Sequence, residues 1–186
     1  MTYLIQPGDL LVAPPAMADS FFQETVIWLC EHGTRGSSGF VMNNPTDRYL
    51  SDIFSHLNEE WIDDDILYQG GPVATNRLFM THTSDWKNSS TKSVTPQLSV
   101  TTEFSEYPSE ADGNTPSDWR IFSGCAAWSP NQLMGELLGK APWHHTQSWL
   151  IINQPDPMWV LGIDPSILWR EALTIASHQT VKSWMM

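Results

Sequence analysis

The chain reads as an α+β protein in a single domain spanning residues 1–186, and three observations lead there. Short β-branched and aromatic runs, cut by Gly and Pro, recur along most of its length. Two of these runs flank one short polar break, as in an antiparallel hairpin. The helical segments fall between strands without the regular βαβ alternation that a doubly wound sheet requires.

Taken in order, Leu10 to Ala13 is an apolar run closed by Pro14 and Pro15, which predicts an N-terminal strand. Thr25 to Leu29 and Gly39 to Met42 are the hairpin strands, joined by a loop over Gly33 to Ser38. Cys30, Glu31 and His32 stand where the first strand enters that loop, and Asn43, Asn44 and Pro45 leave the second. Leu50, Ile53, Phe54 and Leu57 recur at helical spacing, with Asp47 or Ser51 able to cap the start. Ile66 to Tyr68 is a strand ended by a turn at Gly70-Gly71-Pro72. Leu78 to Thr81 and Leu98 to Thr102 are further strands around a polar loop over Thr83 to Gln97. Glu103 to Asp118, with Pro108, Gly113 and Pro116, has the weakest fold signal and is expected to be a mobile loop.

Trp119 to Phe122 and Gly124 to Trp128 make a strand and its end. A helix follows, with Ser129 as cap, Pro130 at the first position and Gln132 reaching back as in a capping box. Leu133, Met134, Leu137 and Leu138 form its apolar face and Gly139 its end. Trp149 to Ile152 is a strand, Trp159 to Leu161 a short one. Pro165 to Ala176 is the last helix, capped by Asp164, with Ile167, Leu168, Ala172 and Ile175 inward.

Several function classes are disfavoured. The net charge is −12, with twenty-one acidic residues against nine basic ones. Such a chain repels the phosphates whose neutralisation drives nucleic-acid binding, so no direct nucleic-acid contact is expected. No second recognition helix follows the helix from Pro130. The acidity keeps the chain soluble or attracts a basic protein partner, at the extreme as a nucleic-acid mimic. The ten Trp are expected mostly in the core, with some at an interface. No apolar run approaches the ~18 residues of a membrane span. No basic-plus-apolar leader opens the sequence, so a cytoplasmic location with Cys30 and Cys125 as thiols is expected.

Sites with chemistry are sparse. Six dispersed His, with no HxH, HExxH or CxxC, argue against a metal site, and no cofactor is expected. No GxSxG, GxxxxGK[ST] or GxGxxG occurs. On a regular strand Cys30 and His32 share one face while Glu31 points away, so a thiol and an imidazole could meet. Yet Cys30 continues a buried strand, where a thiol loses reactivity, and packing is the favoured reading. Gly70 and Gly71 could offer N–H groups to an anion, although a plain turn is favoured. Asn43, Arg77, His82 and Gln132, at strand ends and a helix start, are the polar residues expected to line a shared cleft.

These blocks, in this order, resemble the AlgH/YqgE family. Cys30-Glu31-His32, Asn43-Asn44-Pro45, Gly70-Gly71-Pro72-Val73, Arg77, His82, then Gly124, Trp128, Gln132, Leu133, Glu136 and Trp143, and finally Trp169-Arg170-Glu171-Ala172 carry the similarity. It runs from about Gly8 to Ala176. Three positions depart: Asn44 replaces a basic residue, Leu78 a Gly and Met134 an acid. The resemblance implies a bent, bifurcated mixed/antiparallel sheet closing towards a pseudo-barrel with flanking helices. It also implies a family named for transcriptional regulation without a settled biochemical activity. The resulting expectation is a non-enzymatic binding or regulatory protein acting through protein contacts. A small-molecule hydrolase using Cys30 or His82 is the alternative. The candidate cleft comprises Cys30, His32, Asn43, Gly70, Gly71, Arg77, His82, Trp128 and Gln132.

Overall fold

A computed structural model describes residues 5–55, 65–103, 114–143 and 148–184. Leu57, most of the 103–118 loop and the His144-His145 pair therefore lie outside the described residues. Among the described residues there are ten strands: β1 Leu10–Val12, β2 Val26–Gly33, β3 Gly36–Val41, β4 Pro45–Tyr49, β5 Ile66–Gln69, β6 Val73–Thr83, β7 Lys92–Ser93, β8 Leu98–Thr101, β9 Trp119–Trp128 and β10 Leu150–Ile152. The helices are α1 Leu50–Phe54, α2 Gln132–Leu138 and α3 Pro165–Trp184, and a π-helical turn covers Met158–Gly162.

The strands form one curled sheet in the order β10-β1-β2-β3-β9-β6-β8-β7. It is antiparallel apart from β5, which pairs parallel to β9 at Tyr68↔Phe122 and Gln69↔Ser123 and carries β4 beyond it. The sheet divides on β9. Residues 126–128 of β9 pair with β3, whereas its earlier half lies between β5 and β6. Gly124 stands at the division with φ +70°, a left-handed conformation that suits glycine. A Cβ there would lie 2.6 Å from the Gly71 carbonyl oxygen. The result is the α+β half-barrel expected.

Both faces of β1, β2 and β3 are covered, which is why Val26 to Cys30 form an unbroken buried run. Leu10, Trp28, Phe40, Phe79, Phe122 and Leu168 pack in the concave core. Leu11, Ile27, Leu29, Val41, Leu133 and Trp149 pack on the opposite face, under α2. A third cluster, Leu50, Phe54, Leu67, Met80, Trp86 and Ile121, lies beneath α1. Trp28, Trp86, Trp128 and Trp149 are buried and Trp119, Trp143, Trp159 and Trp169 half-buried, so the aromatic content is largely packing.

Local differences from expectation have physical causes. The hairpin loop is only Thr34 and Arg35, because Gly36 takes φ +122° and β3 begins there. β4 has no apolar alternation, its residues being mostly exposed, and pairing with β5 alone makes it a strand. Trp159 to Leu161 is not a strand: Asp156 accepts the Met158 N–H and Pro157 starts a single helical turn. α2 begins at Gln132 rather than Pro130. Asn131, left-handed at φ 65°, stands in the cap position, while Gln132 Oε1 still accepts the Ser129 N–H as a capping box would. The inward stripe of α3 is Leu168, Ala172 and Ala176, with Ile175 half-buried against the same core and Ile167 exposed. Asp164 caps that helix as expected, accepting the Ser166 N–H at 2.8 Å.

Candidate functional site

Between β2, β3, β6, β7 and β8 the concave face opens as a groove of about 350 Å³. Its floor is apolar, with Phe40, Phe79 and Val100 buried beside Cys30. Cys125 joins the floor from β9, and Arg77, Lys92 and Glu31 stand at the rim.

A β-bulge decides which residues reach this groove. Leu29 pairs with Gly39 and Glu31 with Ser38, leaving Cys30 as the extra residue on β2. The extra residue reverses the alternation of everything after it. Cys30 and Glu31 consequently both line the groove, as does Ser38 across from Glu31. His32 turns to the opposite side, where Nδ1 lies 2.8 Å from Ser37 Oγ. Ser37 is paired in turn with Trp128, which packs beneath α2. The expected meeting of Cys30 and His32 on one face is thus corrected.

Burial pushes the Cys30 thiol well above its ordinary range, and Glu31 and Cys125 push the same way. Burial also raises the Cys125 thiol, partly opposed by Arg77. Two neutral thiols are poor nucleophiles and suit an apolar floor.

The remaining predicted residues lie elsewhere. Asn43 stands two residues past β3, its Oδ1 accepting the Val26 N–H at 2.9 Å and its Nδ2 donating to the Glu24 carbonyl at 2.8 Å. Those bonds extend the β2–β3 pairing by one side chain. Asn43 also borders a separate polar groove with Glu24, Gln69, Ser166 and Arg170. Gly70 and Gly71 form a seam against β9, where a Cβ on Gly71 would lie 2.0 Å from the Cys125 carbonyl carbon. Gly70 donates to Ser123 O and accepts from the Val41 N–H, so its N–H is not open to an anion. Close backbone approach, rather than turn geometry, explains this glycine pair.

His82 is fully buried on β6. Its Nδ1–H donates to the Thr83 carbonyl at 2.8 Å, and Nε2 accepts from Thr101 Oγ1 at 3.0 Å. Thr91 Oγ1 lies 2.6 Å beyond Thr101. Burial lowers the His82 pKa, opposed by the Thr83 bond and by Asp85. A neutral imidazole with both nitrogens engaged is a packing group.

Trp128 and Gln132 belong to a third cluster, centred on the buried Glu136. Glu136 Oε2 accepts the indole N–H of Trp128 at 3.1 Å and of Trp149 at 3.0 Å, while Oε1 accepts from Gln132 Nε2 at 3.0 Å. The shared cleft of Asn43, Arg77, His82 and Gln132 does not form; only Cys30 and Arg77 of the nine predicted residues line the groove. Phe40, Phe79, Val100 and Lys92 were missed. The only sequence signal for them is alternation on strands whose pairing order is not written in the sequence. No group of three metal-ligating side chains exists among the described residues. No helix among them is long and apolar enough to cross a membrane.

A curled, divided sheet with an open concave groove defines a half-barrel α+β protein. Residues 10–180 match the AlgH-like family (DUF179), and the chain belongs to that family. A UPF0301 protein of Ralstonia pickettii is 32% identical over 172 residues, covering 90% of this chain and 86% of its own length. One from Marinomonas is 34% identical over 134 residues, covering 70% and 71% respectively. The solution structure of the AlgH protein from Pseudomonas aeruginosa superimposes with a TM-score of 0.68 at 29% identity, covering 91% of this chain and 87% of that one. A crystal structure from Corynebacterium diphtheriae, at 22% identity, shares the fold with a TM-score of 0.71 over 91% of this chain and 86% of that one.

Proposed function

We propose that this chain is a non-enzymatic binding or regulatory protein of the cytoplasm that acts through contact with a protein carrying a basic segment. The observation that carries this reading is the outer edge of β4. Among the described residues no strand pairs beyond it, and its cross-strand pair Tyr49↔Ile66 is exposed. An open edge is a template for an added strand, and exposed apolar side chains on it give such a strand something to cover.

Charge selects the partner. Asp47, Asp52 and Asp65 are exposed on and beside this edge and outnumber the one exposed cation on it, Arg48. A basic segment gains on-rate and register from such a field. Any influence on transcription would then run through a protein and not through direct DNA contact. The hydrolase alternative has less support, since neither Cys30 nor His82 has the neighbours of an activated group.

Affinity capture from a host lysate tests the reading, comparing the wild type with Tyr49→Lys/Ile66→Lys and a charge-matched acidic control. Specific capture at low salt that falls in the double variant is expected. Failure to retain any specific protein, or equal retention by the variant, would count decisively against it.

A further inference from the structure

We propose that the groove between Cys30 and Arg77 binds a small anionic amphiphile: one carboxylate on a flexible acyl or aryl body. This goes beyond the protein-contact reading and concerns a different face.

Three features converge on that ligand class. The first is shape and polarity. A concavity of about 350 Å³ falls within the usual range for small-molecule sites, and its floor is formed by Phe40, Phe79, Val100 and two thiols. An aliphatic or aromatic body is what such a floor desolvates favourably.

The second is the position of Arg77. On β6, Val73 pairs with Cys125 and Leu78 with Ser123, so residues 74–77 bulge out against a single residue of β9. Ala74 enters that bulge left-handed at φ 52°, a conformation costly for a residue with a Cβ. The bulge ends by setting the Arg77 guanidinium 5.4 Å from the centre of the Phe79 ring. Among the described residues Arg77 forms no ion pair, although the chain carries twenty-one acidic side chains. A cation held at the mouth of an apolar groove, ion-paired by no described carboxylate while Glu31 on the same rim faces Lys92, is matched by a carboxylate brought in by a ligand.

The third is the opposite rim. Lys92 on β7 faces Glu31 on β2 at 3.6 Å, with both side chains well exposed. That pair is weak enough to exchange partners, so Lys92 can turn to the ligand carboxylate.

The test uses sodium octanoate against the intact protein, with octanol and octylammonium as matched neutral and cationic probes. Backbone amide shifts and the rate of Cys125 alkylation are the readouts. Octanoate is expected to shift amides of β2, β6 and β8 and to slow Cys125 alkylation, with octanol weaker and octylammonium inactive. Arg77→Gln, on an exposed side chain, should weaken octanoate about tenfold or more, as loss of a charge-assisted contact does. Val94→Trp, filling the half-buried rim, should abolish binding while leaving the fold's circular dichroism unchanged. Equal affinity for octanoate and octanol would overturn the proposal, as would unchanged affinity in Arg77→Gln. Binding only to an acetylated peptide ending in a Phe carboxylate would overturn it too, since the ligand would then be a protein terminus.

Discussion

Cys30 and His32, two residues apart on one strand, face opposite sides of the sheet. The cause is the bulge at Cys30, which sets Leu29 against Gly39 and Glu31 against Ser38. The thiol goes to the concave groove and the imidazole to Ser37. Proximity in sequence is therefore separation in space, and the triplet Cys30-Glu31-His32 is not a catalytic unit.

Thiol reactivity should follow this division. Cys125, half-buried, should alkylate before Cys30, and both slowly at neutral pH because burial raises both thiols. Mass spectrometry after timed iodoacetamide treatment measures this. Rapid modification of Cys30 in the native protein would show that it is activated after all.

Glu136 should be the most costly polar position near α2. Removing its carboxylate by Glu136→Ala leaves the buried indole N–H groups of Trp128 and Trp149 without an acceptor, for a loss of about 2–4 kcal/mol. Glu136→Gln retains one carbonyl acceptor and should lose less. Urea unfolding of the two variants gives the comparison. Equal, small losses would mean that water replaces the carboxylate.

The glycine seam should tolerate no side chain. Gly71→Ala places a Cβ against the Cys125 backbone, and Gly124→Ala adds a left-handed residue facing the Gly71 carbonyl. Each should destabilise by about 2 kcal/mol or more, since backbone on both sides cannot yield locally. Thermal melting of each variant is sufficient. A wild-type melt for Gly71→Ala would contradict the close approach.

Stability should fall as pH drops below 6.5. The His82 pKa is lowered from its ordinary 6.5 on folding, so between 6.5 and the folded value the unfolded chain binds the extra proton. The contribution is complete above 6.5 and is lost progressively as pH falls to the folded value. The Asp85 and Asp164 carboxyls are held below their ordinary 3.8, by Ser117 and by Ser166 respectively. Their stabilisation is present above 3.8 and fades only at more acidic pH, which separates the two windows. Histidine resonances followed by NMR, together with unfolding free energies at several pH values, test the assignment. A His82 titration at or above 6.5 would refute it.

Much of the fold was readable from residues alone, because strand signals are local. Leu10 to Val12, Val26 to Leu29, Leu98 to Thr101 and Trp119 to Trp128 carry β-branched or aromatic runs that prefer a pleated, buried surface wherever they are placed. The N-terminal cap of α3, Asp164, and the family blocks were equally local. β4 and the bulges on β2 and β6 were hidden, because exposed residues take their conformation from the strand beside them and not from their own pattern. The groove was hidden for the same reason. Phe40, Phe79, Arg77 and Cys125 converge only after β9 has paired with β3 and β6 and two bulges have chosen which side chains face inward. Sequence determined which segments would be strands and helices through short-range preference. Tertiary pairing decided which faces meet, since a one-residue shift of register turns every later side chain to the other side.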